Sequence, residues 1–405
     1  MRVLVTAYDC CPGKGSEHAM GWHLITELSK YGALTVITRQ QYREDILTSA
    51  RSYQNIEWHF VKEPSLKQIL PFLNEMWDFY LNYKKWERKA YKLAIGLHQQ
   101  QPFAIVHRIN IIGVKEPGFM WQLNQVKFIM GPAGGLEYIS PRFFSQLSWV
   151  QLGKALLNNL LVFRTRYLHT RLRKAVTAAK HIYTFNSHHQ ELFAKIFKQP
   201  NTSVLADSAT FQQTVVPLQR MENEPLRLVV ACRLEEVKGI QLIARALALL
   251  PASVKYNLTV IGTGSYAKRL EAKLNQFGIH YSILGAMPRH ELFNTLRQQH
   301  LFVYASFKDA NTHIIPEAIS CGCPVVCLHH LGYGDYITDD IGVRIPVSGS
   351  LQHICSNMAS EITKLYDNEN RRVALAYNCL AFAAENTWQK VAQAIFTKYR
   401  ALYES

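Results

Sequence analysis

The chain has 405 residues, 48% of them apolar and 19% charged, and carries a formal net charge of +15. That length suits two domains rather than one core, and that balance of side chains excludes an intrinsically disordered chain. No run approaches the roughly 20 apolar residues needed to span a bilayer, and no period of the solenoid or propeller kind is present.

Taken in chain order, RVLVTAY (Arg2–Tyr8) is a short β-rich run. The loop CCPGKGSE follows, and HAMGWHLITELSKYG then reads as a helix closed by Gly32. LTVITR is the next strand, so the order strand, loop, helix, strand specifies parallel βαβ units. Leu66 to His98 has a helical pattern in which Phe72, Trp77, Phe79, Tyr80, Tyr83, Trp86 and Tyr91 interleave with Lys84, Lys85, Arg88, Lys89 and Lys92. Such a helix lies either at a membrane interface or against a core with its lysines snorkelling outward; the core reading is favoured. FAIVHRI and VKFIMGP are further strands, and HIYTFN and SVLADSA close the first half. PLQRMENEPLR (Pro217–Arg227), polar and with two prolines, reads as the linker.

A second βα series then begins with LRLVVACRL, a helix over Gln241–Leu250, YNLTVIGTG and a helix near Tyr266–Phe277. YSILGAM, a helix from Glu291, HLFVYAS, a helix at Glu317 and PVVCL continue it, and the pattern after Ser348 is helical. The expected architecture is α/β, with two doubly wound parallel domains placing a cleft between their strand C-terminal edges.

The charge is uneven. From Tyr138 to Gln190 there is no Asp or Glu, while Arg142, Lys154, Arg164, Arg166, Arg171, Arg173, Lys174 and Lys180 fall in that window. The block suits an anionic partner, whether nucleic acid, a phosphorylated ligand or an acidic membrane surface, or is simply a solvated helix face. None of the eight cysteines forms a C-x2-C pair, and most lie in apolar runs where a free thiol acts as a small hydrophobe. A reducing cytosol is therefore expected. MRVLVTAYDCC has too short an apolar core for a signal peptide. The expected location is cytoplasmic, with any membrane contact peripheral, on the inner face of the cytoplasmic membrane.

The first βα loop, Gly13-Lys14-Gly15-Ser16-Glu17-His18, has His where the third glycine of a dinucleotide fingerprint belongs. The next strand ends in Thr38-Arg39 rather than in an acid for a ribose, so NAD binding is disfavoured. P-loop and nucleophile-elbow motifs are absent from the sequence. What remains gathers at the predicted strand ends of the second half: Arg233 and Lys238, Gly262 and Gly264, Gly285, Asp309, and Glu317 at a helix start. Two cations with a helix N-terminus suit a diphosphate, and a carboxylate inside that helix suits a ribose diol. Neither Asp309 nor Glu317 needs to move a proton. An ion pair of the cations with Glu235 or Glu236 is the plainer reading.

RLEEVKG, VIGTG, LGAMPRHEL and D-x7-E followed by AISCGCPVV resemble the donor domain of retaining nucleotide-sugar glycosyltransferases of the GT-B fold, family four. AYDCCPGKGSEHAMGW looks like that family's N-terminal loop, and GPAGGLEYISP like a stretch common in bacterial members. The resemblance covers almost the whole chain. It implies two Rossmann-like doubly wound domains facing a central cleft: 1–210 for the acceptor, 211–385 for the nucleotide sugar, and a final helix over 386–405 packing back on the N-terminal domain. It implies that Arg233 and Lys238 hold the donor diphosphate and neutralise the leaving nucleotide, and that Glu317 accepts from the ribose hydroxyls. Asp309 stands where the family usually has Glu and faces the transferred sugar. Asn311, Thr312 and His313 replace its Gly-rich turn and shape that pocket. Gly15, Gly262, Gly264 and Met287 complete the donor side, with the base read by backbone near Gly285–Met287. Ser16, Glu17, Gly134, Gly135 and Glu137 lie on the acceptor side. His107 sits near the reacting sugar carbon, although a strand-end histidine is as often structural. No cofactor or metal is implied.

The resulting expectation is a retaining transferase that moves a hexose from a nucleotide sugar, UDP-glucose-like first and GDP second. The acceptor would be a saccharide or lipid-linked oligosaccharide, in exopolysaccharide or cell-envelope synthesis. An anionic membrane surface is a further partner suggested by the basic block; nucleic acid is not expected. A nucleotide-sugar epimerase of the same fold and a non-catalytic sugar-binding protein are the alternatives.

Overall fold

The computed structural model describes the chain except residues 16, 51–52, 65–74, 206–208, 212, 214 and 310–312. It divides into two compact units. Met1–Leu136, Leu161–Asp207 and Trp388–Ser405 form the first, and Glu137–Leu160 and Ser208–Thr387 the second.

The first unit is built on a seven-stranded sheet of β1 (Val3–Ala7), β2 (Leu34–Arg39), β3 (Ile56–Val61), β4 (Ile105–Asn110), β5 (Lys127–Ala133), β6 (His181–Thr184) and β7 (Thr202–Val204). Their order is β3-β2-β1-β4-β5-β6-β7, and every pairing is parallel. All five residues of β1 are buried, as a parallel strand covered on both faces requires. The helices along this part of the chain are α1 (Glu17–Leu28), α2 (Arg43–Ser49), α3 (Glu75–Gln100), α4 (Trp149–Tyr167), α5 (Thr170–Ala178) and α6 (Ser187–Phe197). In α3, Tyr83, Trp86, Ala90 and Ala94 are fully buried at helical spacing while Lys85, Arg88, Lys89 and Lys92 are turned away from that row. The described part of the aromatic–basic segment is thus a core stripe; Phe72 and the Trp77 side chain lie outside the described residues.

The second unit has a six-stranded sheet of β8 (Leu226–Ala231), β9 (Tyr256–Ile261), β10 (Tyr281–Gly285), β11 (Leu301–Tyr304), β12 (Val325–His329) and β13 (Gly342–Pro346). The order is β10-β9-β8-β11-β12-β13, again all parallel. Its helices are α7 (Ile240–Leu247), α8 (Ala267–Gln276), α9 (Arg289–Leu296), α10 (Ile314–Ser320), α11 (Leu331–Tyr336), α12 (Leu351–Asp367) and α13 (Glu369–Glu385). α7 packs on α12, and α10 on α13. The last helix, α14 (Trp388–Glu404), packs on α1 in the first unit.

Two features differ from the expectation drawn from sequence. Glu137–Leu160 falls within the expected 1–210 domain, but it clusters with the second unit. The reason is aromatic and polar: the buried Phe143 ring stacks on Phe307 with centroids 4.2 Å apart, and the Ser148 amide donates to Glu236 at 2.6 Å. Pro217–Arg227 is not a free linker either. The Arg220 amide donates to Glu369 at 2.7 Å, and the fully buried Arg372 donates to the Leu218 carbonyl at 2.5 Å. These bonds strap the segment to α13. Polar, proline-bearing composition does not distinguish a strap from a linker, because its fasteners lie about 150 residues further on.

Phe143→Ala is expected to cost about 3–5 kcal/mol, read as a lower urea midpoint. Limited proteolysis should then cut within 137–160 in the variant before it does so in the parent.

Candidate functional site

In a doubly wound sheet, a ligand crevice opens outside the C-terminal strand ends, where the strand order reverses. In the second unit that point lies between β8 and β11, which are adjacent and parallel. The chain leaving β8 carries Arg233 and a tight helical turn at Glu236–Lys238; the chain leaving β11 carries Asp309. Lys238 Nζ donates to Asp309 Oδ2 at 2.5 Å, with the two side chains 11% and 21% exposed. Tyr304, the last residue of β11, donates its hydroxyl to the same oxygen.

Backbone bonds clamp the two loops together. The Phe307 amide donates to the Val237 carbonyl at 2.8 Å. Ser306 donates to that carbonyl at 3.3 Å and accepts from the Asp309 amide at 3.3 Å. Burial pushes the Asp309 carboxyl up. The charge of Lys238 and the hydrogen bonds from Lys238, Tyr304 and Ser306 outweigh burial and hold it below the usual carboxylate range.

Gly262 and Gly264 serve the same assembly. At Gly262, φ is +131° and a Cβ would lie 1.9 Å from the Cys232 carbonyl oxygen; at Gly264 it would lie 2.3 Å from that of Leu234. Both glycines therefore let the loop after β9 press on the loop that carries Arg233. Arg233 itself is 73% exposed and pairs with Glu235 at 3.0 Å, which is the plainer reading of that residue. An exposed pair of this kind is worth only about 0–1 kcal/mol, so the guanidinium leaves it at little cost.

Glu317 lies in the first turn of α10, buried, with Oε1 2.8 Å from an Arg289 nitrogen. Arg289 opens α9, and its guanidinium lies 4.3 Å from the Phe211 ring centroid and 5.6 Å from that of Phe293. Burial raises the Glu317 carboxyl above its ordinary value, and the Arg289 charge partly offsets this. Arg289 and Tyr304 are site residues that sequence reasoning misses. The only local signals are an Arg directly after Pro288 at a helix start and a Tyr ending an apolar strand. Met287 is half-buried against the core. His313 precedes α10, and its carbonyl accepts from the Glu317 amide at 3.2 Å. Asn311, Thr312 and Ser16 lie outside the described residues.

The first unit's reversal falls between β1 and β4. The Asp9 amide donates to Asn110 Oδ1 at 3.2 Å, and Asn110 Nδ2 donates back to the Asp9 carbonyl. Glu17 opens α1 and accepts from the Ile112 amide at 3.3 Å. Gly15 is exposed, with open space where a Cβ would stand. Gly134 is buried: a Cβ there would fall 1.4 Å from the Phe185 ring. Gly135 follows it at φ +78°. Glu137, expected beside these glycines, is assigned to the second unit. Arg39, which ends β2, pairs with Asp9 and with Glu63, the latter at 2.9 Å. Its guanidinium lies 4.0 Å from the Tyr8 ring centroid.

His107 requires a correction. The resemblance puts it near the reacting sugar carbon, yet it is fully buried within the first unit's core. Its Nε2 donates to the Gly131 carbonyl at 2.7 Å, and Nδ1 accepts from the Tyr399 hydroxyl of α14 at 2.6 Å. Both ring nitrogens are used, and burial lowers its pKa to about 3, so the ring is a neutral structural strut. Among the described residues no group of three or more His, Cys, Asp or Glu is placed to hold a metal ion, and no helix is long and apolar enough to cross a membrane. All eight cysteines are free thiols.

Two all-parallel doubly wound units of this kind define the GT-B class of fold, and solved structures of that architecture align over nearly the whole chain. Sucrose-phosphate synthase from Thermosynechococcus elongatus aligns with a TM-score of 0.68 at 15% identity, covering 100% of this chain and 99% of that one. Anabaena HepE, solved in complex with UDP and glucose, aligns with a TM-score of 0.62 at 16% identity, over 99% of this chain and 100% of that one. Residues 216–380, within the second unit, match the family model described as Glycosyl transferases group 1. The O-antigen chain mannosyltransferase B of Escherichia coli is 25% identical over 258 residues, 59% of this chain and 65% of that protein. The curated relatives are matched over less than two thirds of their own length. The fold of the chain is therefore GT-B, and its second unit carries the segment that matches the group 1 family model.

The buried His107 has a pH consequence. Its folded pKa of about 3 lies below the unfolded value of about 6.5, so the unfolded chain takes up the proton first as pH falls. The resulting loss begins near pH 6.5 and grows toward pH 3 by about 1.4 kcal/mol per pH unit. His107→Gln should be less stable than the parent at pH 7.5, and should lose about 2 kcal/mol less than the parent between pH 7 and pH 5. Urea titrations at these pH values measure both differences.

Proposed function

We propose that the protein is a retaining glycosyltransferase that moves a hexose from a nucleotide sugar, a UDP-sugar first, to a saccharide or lipid-linked acceptor in envelope or exopolysaccharide synthesis. The observation that carries this reading is the convergence of Lys238, Asp309 and Tyr304 at the β8/β11 reversal of the unit that matches the group 1 model, with Arg233 on the same loop as Lys238. The neighbouring HepE fold, solved in complex with UDP and glucose, supports the choice of nucleotide.

On this reading Lys238 and Arg233 bind the donor diphosphate. Each leaves a carboxylate to do so: Arg233 leaves the exposed Glu235, and Lys238 exchanges part of its bond to Asp309 for phosphate oxygen. Asp309, still held by Tyr304 and Ser306, is then free to accept from sugar hydroxyls. Glu317, oriented by Arg289, accepts from the ribose diol. As the bond between the anomeric carbon and the phosphate oxygen breaks, the acceptor oxygen bonds to the same face of that carbon, and its proton passes to the departing phosphate oxygen. Fixed cations at the developing phosphate charge lower that barrier by about 3–4 kcal/mol per well-placed group.

Three measurements test the proposal. In a thermal-shift panel, UDP-glucose should raise the melting temperature more than GDP- or ADP-sugars do. Arg233→Ala and Lys238→Ala should each lower kcat/KM about 100- to 1,000-fold, while Glu317→Gln should chiefly weaken donor binding. Incubation with UDP-sugar alone should release nucleotide slowly by hydrolysis; an epimerised nucleotide sugar in that mixture would instead make the protein an isomerase.

A further inference from the structure

Arg289 stands at the unfavourable end of its helix. It is the first residue of α9, where the positive pole of the helix dipole opposes a cation. Three contacts within the second unit hold it there. Its Nη2 lies 2.8 Å from Glu317 Oε1. Its guanidinium lies 4.3 Å from the Phe211 ring centroid and 5.6 Å from that of Phe293, one turn further along α9. The two rings meet edge to face with centroids 5.8 Å apart. The Phe211 amide donates to Ser320 Oγ at 2.8 Å, and Ser320 ends α10, the helix that carries Glu317. The guanidinium therefore lies against one ring from its own helix and one from a segment tied to α10. Its Nε is buried and finds no partner among the described residues.

Such a frame does more than balance charge. Glu317 is 9% exposed, and a carboxylate so enclosed turns to whatever donor is nearest or gives up its charge. Arg289 commits one oxygen of the group to a directional bond, and the two rings keep the guanidinium from following the carboxylate if it turns. A lysine at 289 would supply the charge but neither the planar fork nor a flat face to lay on Phe211. The position and plane of the Glu317 carboxylate are thus set before any ligand reaches it.

We propose that Arg289 is a positioning residue for nucleotide choice: by fixing the Glu317 carboxylate in place, it makes the site prefer a ribonucleotide to its 2′-deoxy analogue. The inference rests on the reading of Glu317 as the acceptor for the ribose hydroxyls. A hydroxyl that meets a fixed, enclosed carboxylate gains a charge-assisted hydrogen bond. The analogue without that hydroxyl leaves the acceptor buried and unsatisfied, and it is rejected for that reason. A carboxylate free to swing would satisfy itself elsewhere, and the two nucleotides would then be held alike. Discrimination therefore resides in the rigidity that Arg289 and Phe211 impose as much as in Glu317 itself.

The test is calorimetric titration of the full chain with UDP and with 2′-deoxy-UDP. The parent should bind UDP at least about tenfold more tightly than the deoxy analogue. R289M keeps an apolar stem against both rings but removes the charge and the donors. It should bind UDP about tenfold more weakly and cut the preference to about threefold or less. R289K should recover less than half of the preference, and F211L, which leaves Arg289 in place without its ring, should lose part of it. In hydrolysis of UDP-glucose, R289M should raise KM and leave kcat within about twofold. A parent that binds neither nucleotide, or both alike, removes the ribose reading of Glu317 and this inference with it. A parent that discriminates beside an R289M that discriminates equally overturns the inference alone, and so does a loss in R289M confined to kcat. Should R289M fail to fold, R289K and F211L decide the matter, and full preference in both overturns the inference.

Discussion

The candidate site depends on how closely three loops of the second unit lie. The loop after β9 presses on the loop after β8 at distances that only glycine allows at 262 and 264, and the loop after β11 is bonded to the same β8 loop through Val237. Lys238 and Asp309, 71 residues apart in sequence, therefore meet with almost no freedom. The backbone places them first, and their attraction adds to a geometry already fixed. This is how a parallel sheet makes a site: its strands end together, and the chemistry is shared among connections that have little else in common.

The cations and acids of that unit are held with graded firmness. Arg233 sits in an exposed pair that water competes for, Arg289 is wedged between Glu317 and the Phe211 ring, and Lys238 is nearly enclosed beside Asp309. On the proposed donor assignment, a diphosphate at the β8 loop would meet the loosest cation first. The Lys238 pair holds the Asp309 carboxylate ionised and aimed, whereas at Glu317 the Arg289 charge only partly offsets the burial that raises its carboxyl. Under the proposed function, pre-set charge of this sort would suit a transfer in which the ligand supplies the leaving group and takes the proton.

Much of this is legible in the sequence, for physical reasons that also explain the failures. Apolar runs ending in glycine or polar turns mark the alternation of strands and helices, and position at a strand end puts Arg233, Lys238 and Asp309 on the correct edge. A strand end does not reveal which face a side chain takes. His107 points into the core toward a helix almost 300 residues away, and no local pattern announces that. Arg289 and Tyr304 escape notice because each acts through a neighbour rather than through a motif. Glu137–Leu160 goes to the wrong unit because the ring that Phe143 stacks on lies far along the chain. The basic window is visible from composition. That its helix faces apolar residues outward can be seen only once the opposite face is known to be buried.

The bond between His107 and Tyr399 also bears on the order of synthesis. The strands of the first sheet leave the ribosome long before α14, 292 residues separating the two partners. Until then the imidazole lacks its hydroxyl donor, and α1 lacks the helix that covers it. The second unit is complete once Thr387 has emerged. The half of the protein made first is therefore the half finished last, and a nascent chain stalled anywhere before α14 carries an open N-terminal sheet for chaperones to shield.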